Sequence, residues 1–168
     1  MVKKNVTKMC NMQVATGVLL FLGFAVLASY ALFLKCDLEV LWAGVPPPLR
    51  YVFLCFMPLA AIGFVYVAIT WTLNSPNGWV SSSFTYIMMA FCVFAILWSF
   101  GLYFGSKAIV STSLIVCAAL SIVLLQGACM SEDVMSIIAL LFVCITTVIF
   151  DCVIWHSFYL KNCIKKEP

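Results

Sequence analysis

Charge is scarce in this 168-residue chain. Asp, Glu, Lys and Arg together make up 9% of it, and they are joined by a single histidine, His156. Soluble domains carry about 25% charged residues, so a water-soluble globule is excluded. Nine Lys/Arg against six Asp/Glu leave a net charge of +3, too little for the basic face that nucleic-acid binding needs. There is no acid cluster, and no nucleophile, metal set or acid–base pair stands out. No enzyme, metal site or cofactor is therefore expected, and the lack of any C-x-x-C pair removes the redox and zinc motifs as well. The ten-residue alternation of a membrane barrel strand is also missing.

Apolar residues supply 65% of the chain, and the mean hydropathy is +1.17. A helix crossing about 30 Å of hydrocarbon needs roughly 20 mostly apolar residues. Residues 14–34, 51–73, 84–104, 108–130 and 134–160 meet that requirement. Helices are the solution for such runs, because lipid offers the backbone no other hydrogen-bond partners. The fold class expected is thus an all-α integral membrane protein, one compact bundle of five transmembrane helices without a soluble domain. The hinges at 105–107 and 131–133 make helices three, four and five antiparallel neighbours. The first run resembles a signal peptide, but it is too long for a typical apolar core and lacks a small-x-small cleavage site, so it reads as a retained helix.

Five spans place the termini on opposite sides. Lys3, Lys4 and Lys8 flank one side, and Lys35, Arg50, Lys107, Lys161, Lys165 and Lys166 the other. That balance favours a cytosolic C-terminus, although the flank of the first helix alone argues the reverse. The closing Lys165-Lys166-Glu167-Pro168 is similar to a dilysine endoplasmic-reticulum retrieval signal, and equally to a basic cluster meeting anionic lipid. Asn5-Val6-Thr7 fits the glycosylation sequon but lies too near the first span for use. Most of the nine cysteines fall inside spans and behave as small apolar residues; Cys10, Cys36 and Cys163 sit at membrane borders, where acylation occurs.

Asp151 is the costly residue. It lies nine residues, roughly 13 Å at 1.5 Å per residue, from the end of the fifth span. A carboxylate at that depth costs on the order of 2.5–3.5 kcal/mol, so it faces the bundle interior. Thr147 and Trp155 share its face. Two readings are open: a functional site, or a structural hydrogen bond to a hydroxyl such as Thr112 or Ser113. Gly101 and Gly105 form a G-x-x-x-G that serves either a dimer seam or packing within the chain. The one long connection, 35–50, carries Trp42 and Pro46-Pro47-Pro48; it reads either as a stiff lid over a bundle cavity or as an interfacial anchor before a helix.

Taken together, these features resemble the TspO/translocator protein (peripheral benzodiazepine receptor, tryptophan-rich sensory protein) family. Residues 97–107, Leu-Trp-Ser-Phe-Gly-Leu-Tyr-Phe-Gly-Ser-Lys, resemble the family's Trp-rich helix-three end closing in Phe-Phe-Gly-x-Arg/Lys. Residues 146–155 resemble its Thr-Thr-x-x-Asn-x-x-x-Trp stretch, with Asp151 in place of Asn. Trp42, Pro46–Pro48 and Tyr51-Val52-Phe53 are similar to its Trp-x-Pro-Pro-x-Trp-Val-Phe loop. Trp98 is displaced by one position, Tyr51 stands for a Trp, and Ser111 and Val143 occupy places of pocket tryptophans. With five Trp in all, this is a tryptophan-poor member.

The resemblance implies a five-helix cavity that binds sterols, porphyrins or drug-like molecules and translocates them. By position its lining is Phe53, Leu54, Ser111, Leu114, Thr147, Phe150 and Asp151, with Trp42 in the lid. Val153, Tyr159 and Lys161 fit the sterol-recognition pattern. The expected partners are a sterol or tetrapyrrole, membrane lipid and a second copy in a homodimer. The membrane is that of the endoplasmic reticulum or the outer mitochondrion. The alternatives are a non-catalytic adaptor working through Gly101 and Gly105, and a proton-coupled pore built on Asp151 with His156 nearby.

Overall fold

The computed structural model describes the backbone of residues 2–30, 41–73, 78–131 and 133–165, and the side chains of residues 14–30, 41–71, 83–130 and 133–161. The side chains of Cys10, Cys36, Cys163, Lys35, the Asn5 sequon and the dilysine-like tail lie outside that set. Among the described residues there is no strand. We number the helices α1 (Val2–Tyr30), α2 (Pro47–Leu73), α3 (Gly78–Tyr103), α4 (Lys107–Ser131) and α5, which runs continuously through Val134–Cys144, Ile145–Trp155 and His156–Lys165.

The helices differ from the apolar runs mainly at their starts. α1 begins twelve residues before the first run, and α2 takes Pro47 and Pro48 into its first turn. Proline is at home there, because first-turn N–H groups have no intrahelical partner and φ is already helical. Pro46 therefore ends the loop, and Pro47 and Pro48 are helical rather than extended. α5 opens with Asp133 as N-cap, its carboxylate accepting from the Met135 amide at 3.2 Å and from the Ser136 hydroxyl at 2.5 Å. Trp71 Nε1 donates to Ser136 Oγ at 3.1 Å, so the cap also holds the end of α2.

The α3–α4 hinge is a Schellman turn. Gly105 adopts φ +70°, its amide donates to Leu102 at 3.2 Å, and the Ser106 amide donates to Gly101 at 2.8 Å. Around the bundle the order is α1, α2, α5, α4, α3 and back to α1. At the seam of α2 and α5 a Cβ on Gly63 would stand 2.7 Å from the Ala139 carbonyl oxygen, so the two backbones touch.

Two apolar clusters fill the interior. One, around Leu19, Phe64, Met88, Leu124 and Leu140, joins all five helices. The other draws loop residues Ala43 and Val45 against Phe53, Trp98, Leu102, Phe150 and Trp155 at one end of the bundle. Large apolar residues such as Phe21, Ile62, Tyr86 and Ile115 also cover the outside. Helices apolar all round belong in a large core or a membrane. Four of them, over Pro47–Trp71, Ser83–Tyr103, Lys107–Met130 and Val134–Lys161, are long and apolar enough to cross a bilayer, and α1 adds the shorter apolar stretch Val14–Tyr30.

Candidate functional site

Hydroxyls inside an apolar bundle bond either to a carbonyl one turn back or across to another helix. Both happen on α5. Thr146 donates to the Phe142 carbonyl at 2.8 Å. Thr147 Oγ1 lies 2.9 Å from the Val143 carbonyl and 2.8 Å from Ser121 on α4, which itself donates to Ala118 at 2.8 Å. Ile145–Trp155 is wound as a π-helix, a rare form associated with functional sites. Val143, Thr146, Thr147 and Asp151 all line one cavity from this side.

The cavity holds about 420 Å³ and touches every helix. Leu114 and Cys117 line it from α4, Phe91, Cys92, Ala95 and Trp98 from α3, and Ala60, Ala61, Phe64 and Val65 from α2. Its α1 wall is Leu20, Gly23, Phe24, Leu27 and Tyr30. Phe24 is 70% exposed and Val65 42% exposed, so the cavity reaches the outer surface between α1 and α2. Among its lining residues the polar ones are few: Tyr30, Trp98, Thr146, Thr147, Asp151 and two cysteines. Tyr30 and Trp98 meet edge to face with centroids 5.7 Å apart, and the Asp151 carboxylate is within electrostatic range of Tyr30 and Cys117. Asp151 makes no hydrogen bond with a described residue, Thr112 and Ser113 included. Trp98 Nε1 is the buried side-chain polar atom without a partner among the described residues.

Of the residues expected to line a pocket, Leu114, Thr147 and Asp151 do so. Phe53 and Phe150 form the next layer, packed ring on ring at 4.9 Å, with Phe56 against Phe150 at 4.9 Å. Trp42 meets the edge of Phe53 at 6.2 Å and carries the Arg50 guanidinium 5.6 Å from its centroid. The loop thus caps one end of the bundle, and Trp42 packs on the Phe53–Phe150 layer without lining the cavity itself. Leu54 is a correction: it is 51% exposed and faces outward, because its neighbour Phe53 takes the inward position on the helix. Ser111 is another, since it lies outside the lining and bonds His156 Nε2 at 2.8 Å.

Val153 faces outward, whereas Tyr159 turns inward and stacks on Trp155 at 5.1 Å; Lys161 lies 5.8 Å from the Phe158 ring. The sterol-recognition triplet therefore does not present one surface. Gly101 packs under Ile109, where a Cβ would meet the side chain at 2.7 Å, and Gly105 ends the helix. The G-x-x-x-G serves the α3–α4 hairpin. Tyr30, Trp98 and Cys117 were not among the expected lining residues. A phenol and an indole inside apolar runs, in the same chain as an intramembrane acid, were the signal available for them. No family model matches the chain, and neither does any curated protein or solved structure.

Proposed function

We propose that this chain is a multi-pass membrane protein that binds hydrophobic small molecules in the five-helix cavity, in the manner of the TspO family it resembles, and passes them on through the membrane. The observation that carries this reading is the cavity itself. It is about 420 Å³, within the size range of small-molecule sites, and it is apolar apart from a few convergent polar groups. Its side opening between α1 and α2 suits ligands that reach it dissolved in lipid. A sterol or tetrapyrrole is the ligand class that the resemblance brings. The endoplasmic reticulum or the outer mitochondrial membrane, with the C-terminus in the cytosol, is the setting that the resemblance and the basic tail support.

The adaptor alternative would need a helix face at Gly101 that Ile109 already covers. A pore would need more intramembrane ionisable groups than Asp151 and His156, and His156 bonds Ser111 outside the cavity lining. The test is titration of purified protein with a photoreactive cholesterol analogue and with protoporphyrin IX, with Asp151→Ala and Trp42→Ala alongside. Saturable binding weakened by Asp151→Ala, and less so by Trp42→Ala, supports the cavity. Partitioning that never saturates, equal in all three proteins, removes it.

A further inference from the structure

An uncompensated carboxylate in an apolar cavity is costly unless something pairs with it. Asp151 has no hydrogen-bond or ion-pair partner among the described residues. Arg50 is turned to the Val45 carbonyl, 2.7 Å away, and to the Trp42 ring. Lys161 lies by Phe158 near the end of α5, and His156 is engaged with Ser111. Lys107 is exposed at the start of α4, and no hydrogen bond or ion pair joins a described cation to the carboxylate.

Tyr30 and Cys117 lie within electrostatic range of it, and Trp98 joins Tyr30 in the same lining. Tyr30 and Trp98 form a T-shaped pair, and Trp98 is in turn 5.4 Å from Trp155. Aromatic faces beside a carboxylate form a recurrent receptor for ammonium ions, attracting them by ring quadrupole and by charge. The rest of the lining is apolar and leads to the α1–α2 opening.

We infer that the cavity selects lipophilic ammonium compounds: the cationic head sits among Asp151, Tyr30 and Trp98, and the hydrocarbon part runs along Phe64 and Gly23 towards Phe24 and Val65. The inference rests on the binding function proposed above and narrows its ligand to a charge class. The ammonium group can come from a free amphiphilic amine or from a choline-headed lipid, and the two are separable by experiment.

The test uses the full chain in nanodiscs of phosphatidylglycerol, whose headgroup has no ammonium. The probes are a diazirine-bearing alkyl trimethylammonium and its neutral isostere, with a 3,3-dimethylbutyl head in place of the cation. Saturable labelling by the cation, on α1 and α2 peptides, is expected to be at least about tenfold tighter than by the isostere, as for loss of a desolvated charge pair with its ring contacts. Asp151→Asn should abolish that preference, and Asp151→Glu should keep part of it. Competition by added phosphatidylcholine would identify the lipid as the source; resistance to it would identify free amines.

Equal saturable labelling by both probes on the wild-type chain overturns the ammonium inference and leaves the hydrophobic-ligand function standing. Absence of saturation with either probe overturns both. Because the comparison of the two probes uses the unmutated chain, a variant that fails to fold does not blur the result.

Discussion

Trp155 and Leu41, 114 residues apart in the chain, are joined by one hydrogen bond: the indole Nε1 donates to the Leu41 carbonyl across 2.7 Å. The same indole stacks on Tyr159 and meets Trp98 edge to face. One side chain thus ties the loop before α2 to the last helix and backs the Tyr30–Trp98 pair in the cavity lining.

Trp155→Phe keeps a ring in place and removes the donor, so the Leu41 carbonyl loses its partner. A loss of about 1–3 kcal/mol is expected for such an orphaned group. Unfolding in detergent should show it, and limited proteolysis should cut the 41–46 segment faster than in the wild type. Unchanged proteolysis would mean that the loop is held by Ala43 and Val45 alone.

Gly63→Ala places a methyl 2.7 Å from the Ala139 carbonyl oxygen. Helices α2 and α5 must separate, and overpacking of this kind costs about 1–3 kcal/mol. The atoms met are backbone, so adding Ala139→Gly should not restore stability. Restoration in the double variant would place the contact elsewhere.

Gly101→Leu and Gly105→Ala should differ in kind. The first drives a side chain into Ile109 and destabilises the single chain. The second asks an alanine to hold φ +70°, which costs about 1–2 kcal/mol. Neither should change a monomer–dimer equilibrium measured by resonance energy transfer in dilute nanodiscs. A Gly101→Leu chain that stays as stable as the wild type but loses self-association would restore the dimer seam.

Thr147→Val deletes the bond to Ser121, while Thr147→Ser retains it. Interhelical hydrogen bonds in membranes average about 0.6 kcal/mol, so the stability loss should be small. Ligand affinity is the more sensitive readout, because Thr147 lines the cavity one turn from Asp151. Equal affinity in Val and Ser variants would show that this hydroxyl serves α4 alone.

The helical class and the approximate reach of the helices were legible because long apolar runs admit little else. Their starts were not, because Pro47, Pro48, Gly78 and Ser81–Ser83 are ordinary loop residues by type and become helical only once a helix continues after them. Gly101 and Gly105 are the same residue in one motif, yet one makes room for Ile109 and the other supplies a left-handed turn, a division that spacing does not encode. Phe53 and Leu54 show the limit of assigning a lining by position: adjacent helical residues point about 100° apart, and only one of them is buried. The depth of Asp151 was readable by counting residues. Its companions Tyr30 and Trp98 were not, since they reach it from other helices. Nor does apolar periodicity distinguish an α-turn from the π-turns of 145–155.

Those π-turns also change how far the last helix extends. A wider winding advances less per residue, so part of the 28-residue apolar stretch Val134–Lys161 becomes girth instead of reach. The neighbouring stretches cross with 21 to 25 residues. The fifth helix can therefore be the longest in sequence without overshooting the layer its neighbours define. Its surplus residues thicken the column beside the cavity, and Asp151 sits within that thickened length.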